Sequence, residues 1–141
     1  MHAYLFDFDG TLVDSAPDLT RALDQALARA GLPGVGLELG TAMVGQGAGK
    51  LVERALIHTT GDSSHRMDSP LGRLMLTTFL ELYEPICTEN SVLYPGAIEV
   101  LETLAAQGKQ LGMVTNKPRR FVERMIPALG LDSHFDVIVA G

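Results

Sequence analysis

The chain has 141 residues, of which 46% are hydrophobic and 20% charged, with a formal net charge of −6. That is enough for one ordinary domain or for two small lobes sharing a cleft, and the acidic balance gives no support to nucleic-acid binding. No apolar stretch approaches the roughly 20 residues needed to span a bilayer, no signal-peptide pattern opens the chain, and the single cysteine, Cys87, excludes an internal disulfide and suits a reducing cytoplasm.

Residues 3–8, "AYLFDF", are apolar except for Asp7, and apolar and polar positions do not alternate. That pattern predicts a strand buried on both faces of a parallel sheet. Ser15 followed by Asp18 resembles a capping box with an acidic N3 residue. Leu19, Leu23, Ala26, Leu27 and Ala30 then mark one helix face, with Gly31 as its C′ residue. Leu51, Val52, Ala55 and Leu56 predict a second helix, and Leu71, Leu74, Met75, Phe79 and Leu82 a third that ends near Pro85. Between them "LPGVGLELG" and "TTGDSSHRMDSP" read as loops, because glycine, proline and short polar residues cluster there.

From Tyr94 the pattern changes. "YPG" is a turn, and Ile98, Leu101, Leu104 and Ala105 line a helix closed by Gly108. "QLGMVT" is a short strand. "NKPRR" opens another helix with Phe121, Val122, Met125 and Leu129 inward, Pro118 in its first turn, and Pro127 forcing a kink or an early end. "FDVIVAG" reads as a third buried strand. The order strand, helical insert, helix, strand, helix, strand implies an α/β fold with a parallel sheet and right-handed crossovers.

In open parallel sheets ligands bind beyond the carboxyl ends of the strands, where Asp7 and Asp9 fall. One residue apart, they share a crevice if the chain turns at Phe8, and Gly10 eases such a turn. Two carboxylates this close repel, and a hard cation such as Mg2+ relieves the repulsion. One carboxylate can then attack an electrophile while the other moves protons. Aspartates after a strand are also common turn and cap residues; the following Gly-Thr and the distant Thr-Asn favour chemistry.

The "DFDGT" of residues 7–11 resembles the first motif, Asp-x-Asp-x-Thr, of haloacid dehalogenase superfamily phosphatases. "FDFDGTLVDSAPD" and "MVTNKP" are most similar to phosphoglycolate phosphatases and their near relatives, and the likeness covers essentially the whole chain. It implies an incomplete, three-stranded Rossmann-like core (residues 1–15 and 93–141) with an inserted helical cap (residues 16–92). It implies Asp7 as the nucleophile that forms an aspartyl-phosphate, and Asp9 as general acid and base. Mg2+ would be held by the Asp7 side chain and the Asp9 backbone carbonyl. Gly10 and Thr11 would support the loop, and Thr115 and the Asn116 amide would bind a phosphoryl oxygen at a helix N-terminus, a ready-made anion site. The substrate would be a small phosphorylated metabolite, with no nucleic acid or membrane as partner. A sugar-phosphate mutase of the same fold is the neighbouring alternative.

The family also uses a lysine beyond the third strand and a glycine-aspartate motif on a later one, and Gly141 precedes both. Lys117 belongs to the second-motif segment. It counts as a substrate-side cation at the helix N-terminus, against the competing reading of a solvated surface lysine. The expectation is therefore a fragment whose first strand is an exposed apolar edge prone to self-association, or one with no catalytic role.

"GQGAGK" fails as a nucleotide-binding loop, since its glycine spacing is one residue short and Leu51 stands where Ser or Thr is required. It reads instead as a turn leading into the next helix, or as a cap segment whose residues 45–47 reach the cleft. Arg119, Arg120 and Arg124 read as a solvated helix face with Glu123 four residues from Arg119. His2, His58, His65 and His134 lack metal-ligand spacing, and Cys87 lacks any sign of thiolate activation. A response-regulator receiver is excluded, because Asp136 lies at the wrong end of its strand.

Overall fold

A computed structural model describes residues 2–141. Three parallel strands form the sheet: β1 (Ala3–Phe6), β4 (Gln110–Val114) and β5 (Val137–Val139), in the order β1-β4-β5. Tyr4 is paired with Leu111, and Met113 with Ile138. After β1 the chain forms four helices in succession: α1 (Ala16–Arg29), α2 (Gly36–Met43), α3 (Ala48–Thr60) and α4 (Pro70–Tyr83). Helix α5 (Ala97–Ala106) leads into β4, and α6 (Arg119–Ala128) links β4 to β5. The α/β class with a parallel sheet is the one expected from the sequence.

A small antiparallel ribbon, β2 (Val13–Asp14) with β3 (Val92–Leu93), was not anticipated and ties the start of the helical segment to its end. Each strand has two residues, too few for a periodic signal.

The helical segment has its own apolar interior. Leu23, Ala26 and Leu27 of α1, Val52, Ala55 and Leu56 of α3, and Phe79 of α4 are all fully buried. Predicted helix faces hold except at Ala30, Leu74 and Ala105, which are exposed; Leu71, Leu82, Ile98, Leu104 and Leu129 are half-buried against the core. Ala30 is already the C-cap of α1, where the helical period no longer sets the direction, and Gly31 takes φ +72° as a C′ glycine should.

Other expectations need correction. The capping box is absent: Ser15 caps α1 without a side-chain bond and turns its hydroxyl to Asp9 (2.5 Å). Asp18, fully buried, instead accepts from the Asn90 amide (2.7 Å), Asn90 Nδ2 (3.0 Å) and Ser91 Oγ (3.1 Å). It thus pins α1 to the segment before β3 rather than to its own first turn. "LPGVGLELG" is not all loop, since α2 begins within it at Gly36. Gly40 is there for contact, not flexibility: a Cβ would stand 2.4 Å from Thr20 Oγ1 on α1. Pro118 is the N-cap of α6 rather than in its first turn, and α6 ends one residue after Pro127, the early end expected.

The strands are not buried on both faces. Leu5 is 68% exposed and Val137 53%, with Val114 and Val139 also exposed. Leu5, Gly112 and Val137 are register partners, so these side chains form one apolar face of the sheet. Leu111 and Met113, which point the other way, are buried. β1 is an edge strand.

Candidate active site

After β1 the chain turns tightly. Thr11, Leu12 and Val13 all donate their amides to Phe8 O (3.2, 3.0 and 3.1 Å), and Gly10, at φ +78°, donates to Val13 O (2.9 Å). Phe8 is fully buried, which anchors the turn and aims its two flanking aspartates away from the interior. Asp7 Oδ1 accepts the Phe8 amide (2.7 Å), and Asp7 itself is exposed.

The neighbouring strand supplies the facing wall. Beyond β4, Thr115 donates its amide to Val139 O (2.9 Å), Arg119 donates to Gly141 O (2.8 Å), and Gly141 donates to Lys117 O (3.0 Å). The loop of residues 115–119 is thereby stitched to the end of β5. Thr115 Oγ1 accepts the Lys117 amide (3.1 Å), and the Thr115 hydroxyl hydrogen remains free to donate. Because β1 and β4 are parallel neighbours, the two loops leave the same end of the sheet and meet.

One cavity lies between them. Asp7, Asp9, Thr115, Asn116 and Lys117 line it from the sheet side. Residues 45–48, Phe79 and Tyr83 line it from the helical side. Five of the seven residues singled out from the sequence are thus brought together. Gly10 lines an adjoining hollow with Asp9, Asp14, Ser15 and Tyr94, and Thr11 is exposed outside both. The reading of residues 45–47 as reaching the cleft agrees with this lining. Gln46 holds φ +64°, unusual for a side-chain-bearing residue. The Arg54 guanidinium fixes that turn by donating to Met43 O (2.8 Å), Gly45 O (3.0 Å) and Gln46 Oε1 (2.5 Å).

Lys117 overturns the solvated reading. It is 4% exposed, and its ammonium donates to Asp9 Oδ1 (2.9 Å), Asp9 Oδ2 (3.1 Å) and the Tyr83 hydroxyl (2.8 Å). An unpaired ammonium could not be held in such a place. A cation at a helix N-terminus also works against the helix dipole, and that conflict was the one sequence signal of an acidic partner. Tyr83, the last residue of α4, was missed altogether. Burial first, then the Asp9 carboxylate, push its phenol far up, so it stays neutral.

Elsewhere the bland readings hold. Arg119 meets Glu123 at 4.0 Å on an exposed face, and Arg120 and Arg124 reach Glu84 at 3.8 and 3.9 Å. Cys87 is buried, and burial pushes its thiol up, away from reactivity. Among the described residues no three His, Cys, Asp or Glu side chains gather as a metal cluster. Among the same residues no helix is long and apolar enough to cross a membrane. The donors near Asp7 still suit Mg2+, which binds through one or two hard protein oxygens, water and substrate phosphate. The Asp7 carboxylate is accessible and not engaged by Lys117.

Residues 4–141 match the model of a family described as haloacid dehalogenase-like hydrolase. A phosphoglycolate phosphatase of Yersinia pestis is 43% identical over 136 residues, 96% of this chain and 57% of that protein. One from Pseudomonas syringae pv. tomato is 42% identical over 137 residues, 97% of this chain and 49% of its own length. The crystal structure of a predicted phosphoglycolate phosphatase from Haemophilus somnus superposes with a TM-score of 0.85 at 34% identity, covering 100% of this chain and 63% of that one. The chain therefore spans about half the length of these curated relatives, or slightly more.

Proposed function

Because the chain belongs to the haloacid dehalogenase-like hydrolase family, we propose that its site serves Mg2+-dependent hydrolysis of a small phosphomonoester, with phosphoglycolate as the leading candidate. The observation that carries this reading is the convergence of Asp7 and Asp9 from one strand with Thr115, Asn116 and Lys117 from the next, around one cavity. The substrate follows the names of the curated relatives.

The Asp7 carboxylate attacks phosphorus, a P–O(Asp7) bond forms, and the ester P–O bond breaks. Asp9 gives its proton to the departing alkoxide oxygen. Asp9, now a carboxylate, takes a proton from water as that water attacks phosphorus, the P–O(Asp7) bond breaks and inorganic phosphate leaves. The Thr115 hydroxyl and the Asn116 amide hold phosphoryl oxygens at the start of α6, where helix polarity favours negative charge. Mg2+, held through Asp7 and the Asp9 carbonyl, would neutralise charge shared by the phosphate and the attacking carboxylate. The helical segment, with residues 45–48, Phe79 and Tyr83 over the cavity, acts as the cap that limits water and selects the substrate. A cytoplasmic setting belongs to the same proposal and accords with an unpaired, buried Cys87.

The test is hydrolysis of phosphoglycolate and of an aryl phosphate with and without Mg2+, beside Asp7→Asn. The expected result is Mg2+-dependent turnover that falls by at least about a thousandfold in the variant, the scale seen when a covalent nucleophile is lost. Equal turnover by both proteins would refute it.

A further inference from the structure

Two side chains hold the Asp9 carboxylate, Lys117 and Ser15, and Lys117 is itself bonded to Tyr83 of the helical segment. We propose that Lys117 and Tyr83 form a positioning pair through which α4 holds the Asp9 carboxylate, an inference that rests on the acid–base role proposed for Asp9.

An ammonium has three donors, and here all three are assigned, to Asp9 Oδ1, Asp9 Oδ2 and the Tyr83 hydroxyl. Lys117 has a flexible four-carbon stem, and a buried ion pair of this kind is kept only when its geometry is fixed by further hydrogen bonds. Tyr83 provides that fixing. Its ring stacks on Phe79 at 5.8 Å and meets Phe121 of α6 edge-on at 5.0 Å. Its hydroxyl donates to Met125 Sδ at 3.7 Å, leaving its lone pairs to accept from Lys117. The Lys117 ammonium also lies 4.7 Å from the centre of the Tyr83 ring. The second side chain on Asp9, Ser15 with Oγ at 2.5 Å from Asp9 Oδ1, is the N-cap of α1.

The consequence is mechanical. Any movement of α4 relative to the sheet changes the acceptor available to Lys117, and the ammonium carries that change to Asp9. Asp9 therefore sits in one orientation when the helical segment lies over the cavity, and the ammonium that holds it loses its anchor when that segment lifts. The pair couples closure to the placement of the proton-transferring group, with no contact between Tyr83 and the substrate required.

Tyr83→Phe removes the hydroxyl and keeps the ring packing. The chain has three lysines, Lys50, Lys109 and Lys117, of which only Lys117 is buried, so nitrogen-15 NMR of lysine ammonium groups reads it directly. The wild type should show one slowly exchanging ammonium signal, lost in Lys117→Met and shifted or broadened in Tyr83→Phe. In turnover, Tyr83→Phe should lower kcat about tenfold for an alkyl phosphate, whose leaving group needs a proton, and less than about threefold for an aryl phosphate, with KM within about twofold for both. An unmoved ammonium signal, or equal losses on both esters, would overturn the pair and leave a structural tyrosine. A wild type that hydrolyses neither ester would overturn the phosphatase reading of Asp9 and, with it, the catalytic sense of the pair. The ammonium signal tells these two failures apart.

Discussion

The helical segment and the sheet are held together differently. The helices of residues 16–83 close around a continuous apolar interior in which residues from α1, α3 and α4 are fully buried. The sheet has one such face, through Leu111 and Met113, while Leu5, Val114, Val137 and Val139 stand exposed on the other. The reactive loops hang from the strand ends of this half-covered sheet, yet hydrogen bonds stitch them locally: Phe8 O gathers three amides, and Gly141 binds residues 117 and 119. Packing supports the cover of the site, and backbone hydrogen bonding supports its floor.

The comparison breaks most visibly at Phe79. Phe79→Ala empties the interior of the helical segment and should cost about 3–5 kcal/mol in urea unfolding. A loss below about 1 kcal/mol would mean that the helices do not depend on that interior. A smaller effect is expected at Gly40. Gly40→Ala drives a methyl group into Thr20 and should cost about 1–3 kcal/mol, as overpacking does. Thr20→Ala removes the two closest atoms, the Oγ1 at 2.4 Å and Cγ2 at 2.7 Å. The double variant should therefore recover much of the loss, whereas simple additivity would deny the contact. Smallest of all is Leu5→Thr on the bare sheet face. It should change stability by no more than about 0.5 kcal/mol, as substitutions at exposed positions do. We propose that the apolar face beside the open β1 edge drives self-association, so the same change should reduce the mass seen by light scattering at high concentration. A large stability loss would show that this face is covered.

Much of this was legible in the chain. Long periodic segments such as residues 16–29 and 48–60 announced their helices, and the burial of Leu23, Leu27, Val52 and Leu56 followed from spacing alone. Helix α2 was hidden because Gly36 and Gly40 read as breakers, and only the nearness of Thr20 explains the second of them. The face of β1 was misjudged because an apolar run does not say whether anything covers it. In the site, Asp7, Asp9, Thr115 and Asn116 were visible through their motifs. Lys117 lay next to them and was counted as a substrate-side cation, with a solvated lysine as the rival reading; neither foresaw its burial, which depends on Tyr83, 34 residues earlier in the chain. No local pattern encodes that meeting.

The central claim is covalent chemistry at Asp7, and it can be trapped. Asp9→Asn lacks the base that activates water, so with Mg2+ and an aryl phosphate it should accumulate a phosphoryl group. Acid quenching followed by peptide mass spectrometry should find that group on Asp7, and should find none in Asp7→Asn. Turnover by the wild type with no phosphorylated Asp7 in the trapped variant, or a label that persists in Asp7→Asn, would contradict the account.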